Sequence, residues 1–181
     1  MSSTPDWRGE VLRFWFGLDP QQWWKTDPTL DHRIKERFLK LWVEKRQLPV
    51  EMFLDAPLTA LAGVILFDQL PRNMFRGSAD QFATDHLALA IARAAVDREL
   101  EDHLESPERG FLYMPFQHSE NLEDQNRSLL LFTKLGDDFQ LGYAKKHHDV
   151  IQRFGRFPHR NAVLGRPPRP EELTAGDVFP W

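Results

Sequence analysis

The spacing of apolar residues constrains this chain most. It stays close to the helical period of 3.6 almost throughout, and no stretch alternates with the period of two that a half-buried strand requires. Between Asp138 and Gly155, Phe139, Tyr143, His147, Val150, Ile151 and Phe154 follow at steps of four, four, three, one and three, which is one helix face. Asp27-Pro28 opens another segment, whose Leu30, Ile34, Phe38, Leu41 and Trp42 also share a face. Pro, Gly and hydroxyl residues punctuate the rest. Thr4-Pro5 predicts a helix through Val11, Leu12, Trp15 and Phe16 to Gly17. Asp55 and Pro57 predict one carrying Leu58, Leu61, Ile65 and Leu66 and ending before Pro71. Ser78 with Gln81 reads as a capping box for an Ala-rich helix to about Arg98. Ser106-Pro107-Glu108 starts a short segment from Phe111 to Met114, broken by Pro115. Ser119 caps a helix through Leu122, Leu129, Leu130 and Phe132, closed by Gly136, with an end buried all round. With no Gly/Ser linker, the expectation is one all-α domain over residues 1–181, with 166–181 a Pro-rich C-terminal extension. It should hold about seven to nine helices packed as helical hairpins.

Composition narrows the chemistry. The absence of Cys excludes disulfides, thiolate metal sites and a cysteine nucleophile. A formal net charge of -4 argues against a dedicated nucleic-acid binder. No window approaches the ~20 apolar residues of a membrane helix; the run from Leu58 to Leu70 contains Thr59, Asp68 and Gln69. The first residues lack a basic region followed by an apolar one, so the expected compartment is the cytoplasm. Basic residues are mostly Arg, sixteen against seven Lys. From Asp97 to Glu108 six acids face one base, and from Lys145 to Arg169 seven bases face one acid. A fold that gathers the basic stretch in one place would favour an anion.

Several polar residues occupy positions where apolar ones belong. His147 lies in the middle of an apolar stripe, with Asp149 opposite and His148 on the solvent side. A histidine there is either a hydrogen-bonded core residue or an acid–base or ligand-binding group. Asp68 follows Leu61 by seven and Ile65 by three, on or beside a buried face, with Arg72 one turn further on. It needs a partner, and a structural ion pair competes with catalysis. His118 and Glu120 enter the core from its edge, Glu120 in line with Asp124, Arg127 and Leu131. A solvated acidic first turn is the alternative there.

Two breakpoints read alike: Leu70-Pro71-Arg72-Asn73 and Phe157-Pro158-His159-Arg160-Asn161. In each, Pro stops helical pairing and Asn tolerates a left-handed turn. Arg72, Arg76, Arg156, Arg160 and His159 either cap orphan carbonyls or present fork-shaped donors to an anion. No metalloprotease, di-iron, nucleophile-elbow or phosphate-loop motif is present, and the spacing of His118, Glu120 and Asp124 matches no standard metal site. No metal and no cofactor is therefore expected.

Five blocks resemble one family: Val11-Leu-Arg-Phe-Trp-Phe-Gly17, Phe67-Asp-Gln-Leu-Pro-Arg-Asn-Met-Phe-Arg-Gly77, Phe82-Ala-Thr-Asp85, Phe111-Leu-Tyr-Met-Pro-Phe-Gln-His-Ser-Glu120 and Arg153-Phe-Gly-Arg-Phe-Pro-His-Arg-Asn161. They are similar to the hallmark blocks of the bacterial domain of unknown function 924, with departures at Leu70, where Phe is commoner, and Gln117, where Met is. The resemblance runs from Val11 to about Leu173, and His147 falls at the family's usual His. It implies an all-α fold similar to tetratricopeptide-repeat domains and carries no activity of its own.

Three functional readings follow. In the first, a pocket of Asp68, His118, Glu120 and His147 with Arg72, Asn73, Arg76, Arg156, His159, Arg160 and Asn161 binds a small carboxylate or phosphate. If it is an enzyme, His and carboxylate perform metal-independent acid–base chemistry. In the second, the hairpins form a peptide or protein-binding scaffold with Trp and Phe anchors. Independently of that reading, Trp7, Trp23, Trp24 and Trp181, clustered toward the termini, are candidates to cover a second copy in a homodimer. In the third, the polar set is a structural network that pins the turns.

Overall fold

The computed structural model describes residues 6–180, and every regular element among them is helical. The expected helix start at Thr4-Pro5 and the residue Trp181 lie outside the described residues. Helix α1 (Trp7–Phe16) is capped by Asp6, whose side chain accepts from Arg8 N–H. Helix α2 (Pro28–Lys45) begins where Asp27-Pro28 predicts, with Asp27 accepting from the N–H groups of Thr29 and Leu30. Its buried positions are Leu30, Ile34, Phe38 and Trp42, while Leu41 is half-buried.

The helical path that begins with α3 (Pro57–Val64) does not stop before Pro71. It widens into a π-helical turn over Ile65–Gln69 and continues as α4 (Leu70–Met74), so three segments make one rod. In an α-helix the N–H that Pro71 lacks would have bonded Phe67 O. That carbonyl instead accepts from the Thr84 hydroxyl at 2.7 Å. Leu70 N–H reaches back to Ile65 O, the longer register of a π turn.

Ser78 caps only a short 3₁₀ turn, Ala79–Phe82, and Gln81 donates to Ser78 O rather than accepting from its N–H. The Ala-rich helix α5 starts later and spans Asp85–Asp97. Helix α6 (Glu108–His118) runs through Pro115 instead of breaking there. Every residue from Gly110 to Gln117 is buried, and that burial outweighs the ~3 kcal/mol cost of an interior proline. Helix α7 (Leu122–Leu135) is capped by Asn121 in place of Ser119 and closed by Gly136 in the left-handed conformation. Its C-terminal end is not buried all round: Leu131 and Phe132 face the core, but Leu130 is 72% exposed, because α6 and α8 cover one side only. Helix α8 (Asp138–Phe154) ends at Gly155 as expected, with His147 inside and Asp149 outside, though Phe139 at its start is exposed. Helix α9 (Pro170–Thr174) lies within the Pro-rich C-terminal segment.

The rod of α3 and α4 is central. Helix α3 touches α1, α5 and α6, and α4 packs on α2. From α5 to α8 each helix packs on the next, as hairpins do, whereas the principal neighbours of α1 and α2 are α3 and α4. One apolar core joins α1 to α8, and a second cluster of Val150, Ile151, Phe154 and Phe157 is covered by Ala175 and Val178. None of the described helices is long and apolar enough to cross a membrane.

Candidate functional site

The π turn carries Asp68 into the interior, where it is fully buried. There it meets the C-terminal end of α6: His118 Nδ1 lies 2.8 and 3.0 Å from the two carboxylate oxygens. Gln69 Nε2 donates to Asp68 at 2.6 Å, and Arg72 Nη1 stands 3.3 Å away. Burial by itself would raise the Asp68 pKa, but Arg72 and His118 together hold it down at about 2, so the carboxylate is ionised. Burial also dominates His118 and holds it below its ordinary value despite Asp68. The pair is therefore a carboxylate and a neutral imidazole. Because Asp68 accepts, Nδ1 carries the proton and Nε2 is the basic nitrogen.

Arg72 bridges this pair to the start of α5, donating to both oxygens of Asp85 at 2.9 and 3.0 Å and to Asp68 O. The second breakpoint brings Arg160 alongside. Its guanidinium lies between the rings of Phe82 and Phe157, 4.4 and 4.6 Å from their centroids. Nη2 donates to His118 O at 3.0 Å, Nη1 is 3.7 Å from Asp85, and the buried Nε has no hydrogen-bond partner. Burial lowers the Arg160 pKa to about 10, which still leaves it a cation. His147 donates through Nδ1 to Tyr143 O at 2.8 Å and faces the rings of His118 and Phe157. Burial, then His118, lowers its pKa to about 3. His159 packs on Phe157 with its pKa lowered by burial to about 4.

Asp68, Arg72, His118, His147, His159 and Arg160 thus converge, and His118 and Arg160 line a cleft of about 350 Å³ walled also by Phe82, Asp85, Leu89, Pro115 and Leu164. The remaining residues singled out from sequence are engaged elsewhere. Glu120 touches the rim, but it accepts from Arg166 at 2.7 and 2.9 Å and from Phe157 N–H at 2.7 Å. Asn73 and Arg76 both bind Asp31 beside a separate cleft of about 370 Å³. Arg156 and Asn161 clamp Glu172. Asp124 accepts from Arg93 and from the Ser119 hydroxyl. No described group of three carboxylate or His side chains is placed to hold a metal ion. Within the basic stretch from Lys145 to Arg169, Glu172 pairs with Arg156 and Glu120 with Arg166. His148 is half-buried, with Asn126 Oδ1 3.0 Å from its Nε2.

Residues 11–175 match the model of a bacterial protein family of unknown function, DUF924. The chain belongs to that family. A solved structure of a protein of unknown function from Agrobacterium tumefaciens has the same fold, with a TM-score of 0.89, 35% sequence identity, and coverage of 96% of this chain and 98% of that one. No curated protein matches this DUF924 chain. Sequence reasoning missed Gln69, Thr84, Phe82 and Phe157 as parts of the site. All four stand inside the quoted blocks, and Phe157 beside the Arg-bearing turn after α8 was the signal available.

Proposed function

We propose that the cleft beside His118 binds a small anion, carboxylate or phosphate, with Arg160 as its cationic contact and His118 Nε2 as a proton acceptor. The observation that carries this reading is the state of Arg160. It is a buried guanidinium on a residue that lines the cleft, its Nε without a hydrogen-bond partner and its Nη1 3.7 Å from Asp85, whereas Arg72, Arg76, Arg156 and Arg166 each hold a carboxylate bidentately or nearly so. Burying a cation without full pairing is costly, and an incoming anion would offset that cost. Asp68 would orient the His118 ring and stabilise the imidazolium formed when Nε2 takes a proton, with the neutral His147 ring tilted against it at 6.0 Å. Calorimetric titration with acetate, butyrate, phosphate and sulfate is expected to find a binder. Arg160→Ala is expected to weaken it at least tenfold, about the value of one charge-assisted hydrogen bond. His118→Ala is expected to remove any turnover. Binding unchanged in Arg160→Ala would end this reading.

The exposed Trp24, stacked on Phe111 with ring planes 5° apart, supports the rival scaffold reading. A protein partner captured by the native chain and lost with Trp24→Ala, with Arg160→Ala silent, would favour that reading. The many paired arginines support a structural role for the rest of the set.

A further inference from the structure

We infer that the ligand of this cleft is a monocarboxylate with an apolar tail of several carbons, its carboxylate on Arg160 and its tail along Leu89 and Pro115. This deepens the anion-binding reading and rests on it.

The open polar capacity of the cleft is cationic. Asp85 and Glu120 line it, but Arg72 and Arg166 already occupy both oxygens of each, while Arg160 has a donor to spare. An ammonium group would find no free carboxylate. The charges in the buried cluster, Arg72 and Arg160 against Asp68 and Asp85, cancel, because His118 and His147 are held neutral. One added negative charge is tolerable beside Arg160; the two of a phosphate dianion would meet Asp85 at close range with no second uncommitted cation.

Of the remaining lining residues, His86 and Ser119 are polar, the Ser119 hydroxyl already donating to Asp124, and the others are apolar. Helix α5 leaves the polar end at Asp85, and α6 returns to it at His118, so these packed helices run in opposite directions. On α5, Leu89 lies one turn beyond Asp85; on α6, Pro115 lies one turn before His118. Both line the cleft, with Phe82 and Leu164. The apolar part therefore begins about 5 Å from the polar end. A volume of about 350 Å³ sits at the small end of ligand sites, which run roughly 300–1,000 Å³.

Titration calorimetry with acetate, butyrate, hexanoate and inorganic phosphate tests the assignment. Affinity is expected to rise up to roughly fourfold for each methylene added, the transfer free energy of a CH₂, and phosphate is expected to bind more weakly than hexanoate. Leu89→Ser should flatten the chain-length dependence, and Leu164→Ser, in a separate segment, repeats the test should the first variant prove unfolded by its melting curve. Affinity independent of chain length overturns the inference, as does a length dependence retained in both variants. Phosphate binding tighter than hexanoate and lost in Arg160→Ala would overturn the tail while leaving the anion reading standing. Binding of none of the four probes would overturn both.

Discussion

Asp68 and three histidines link this cluster to pH with one sign. The native pKa of Asp68 is depressed from 3.8 to about 2, so its stabilisation is present above pH 4 and lost as the pH falls toward 2. The histidines act earlier. His147 is lowered from 6.5 to about 3 and His159 to about 4, with His118 lowered as well. The unfolded chain takes up protons near pH 6.5 that the native state refuses, so stability falls as the pH drops below that value. Each fully refused proton costs at most about 1.4 kcal/mol per pH unit. Urea unfolding is expected to show constant stability above pH 7 and a decline from pH 6.5 to 5. His147→Gln should make that decline shallower by close to one proton. A native stability flat across pH 7 to 5 would contradict neutral, buried histidines. His147 and Asp68 stood out in the sequence because each interrupts an apolar face. Arg160 did not stand out from its neighbours, because its distinction is a missing partner, and partners come from segments far apart in the chain.

Helix boundaries set by local chemistry were readable, and those set by distant contacts were not. Asp27-Pro28, Gly136 and Gly155 act within one turn of themselves, through side-chain caps or a positive φ, and the helices start and stop there. Gly136 and Gly155 have φ of 77° and 69°. A Cβ at either meets nothing within 4 Å, so Ala there costs only the strained backbone, about 1 kcal/mol. Gly142 is also unobstructed but lies inside α8. Gly142→Ala is therefore expected to stabilise by about 0.5–1 kcal/mol. Opposite signs in urea midpoints check the distinction. Pro71 reads as a stop from sequence, but a hydroxyl thirteen residues later satisfies the carbonyl it orphans. Thr84 also accepts from Trp42 Nε1 at 3.1 Å. Thr84→Val would leave Phe67 O and the indole N–H unpaired in the core, at a cost of about 2–3 kcal/mol in chemical denaturation. A cost below 0.5 kcal/mol would mean that Thr84 does not sustain the π turn.

At the scale of the molecule, the C-terminal segment closes the site from behind. Glu172 is buried and accepts from Arg156 at 2.6 and 2.9 Å, Asn161 at 2.9 Å and Arg169 N–H at 2.8 Å. Those bonds, the one from Arg156 foremost, hold its pKa well below the ordinary range. Arg166 ties the same segment to Glu120, which in turn fixes the N–H of Phe157. The Phe157 ring flanks Arg160 and His147, so the clamp and the cleft share one residue. Composition marked residues 166–181 as Pro-rich, but not that one glutamate would join its helix to the turn after α8. Glu172→Ala removes the acceptor common to Arg156, Asn161 and Arg169 while leaving α2 and α3 untouched. Hydrogen exchange is expected to quicken over residues 150–161 and 166–180, with protection in α2 and α3 unchanged. Affinity for any anion bound at Arg160 should fall with it, since Phe157 loses its backing. Exchange that quickens equally in α2 would show the segment to be part of the global folding unit, and unchanged exchange over 150–161 would show that the clamp does not support the site.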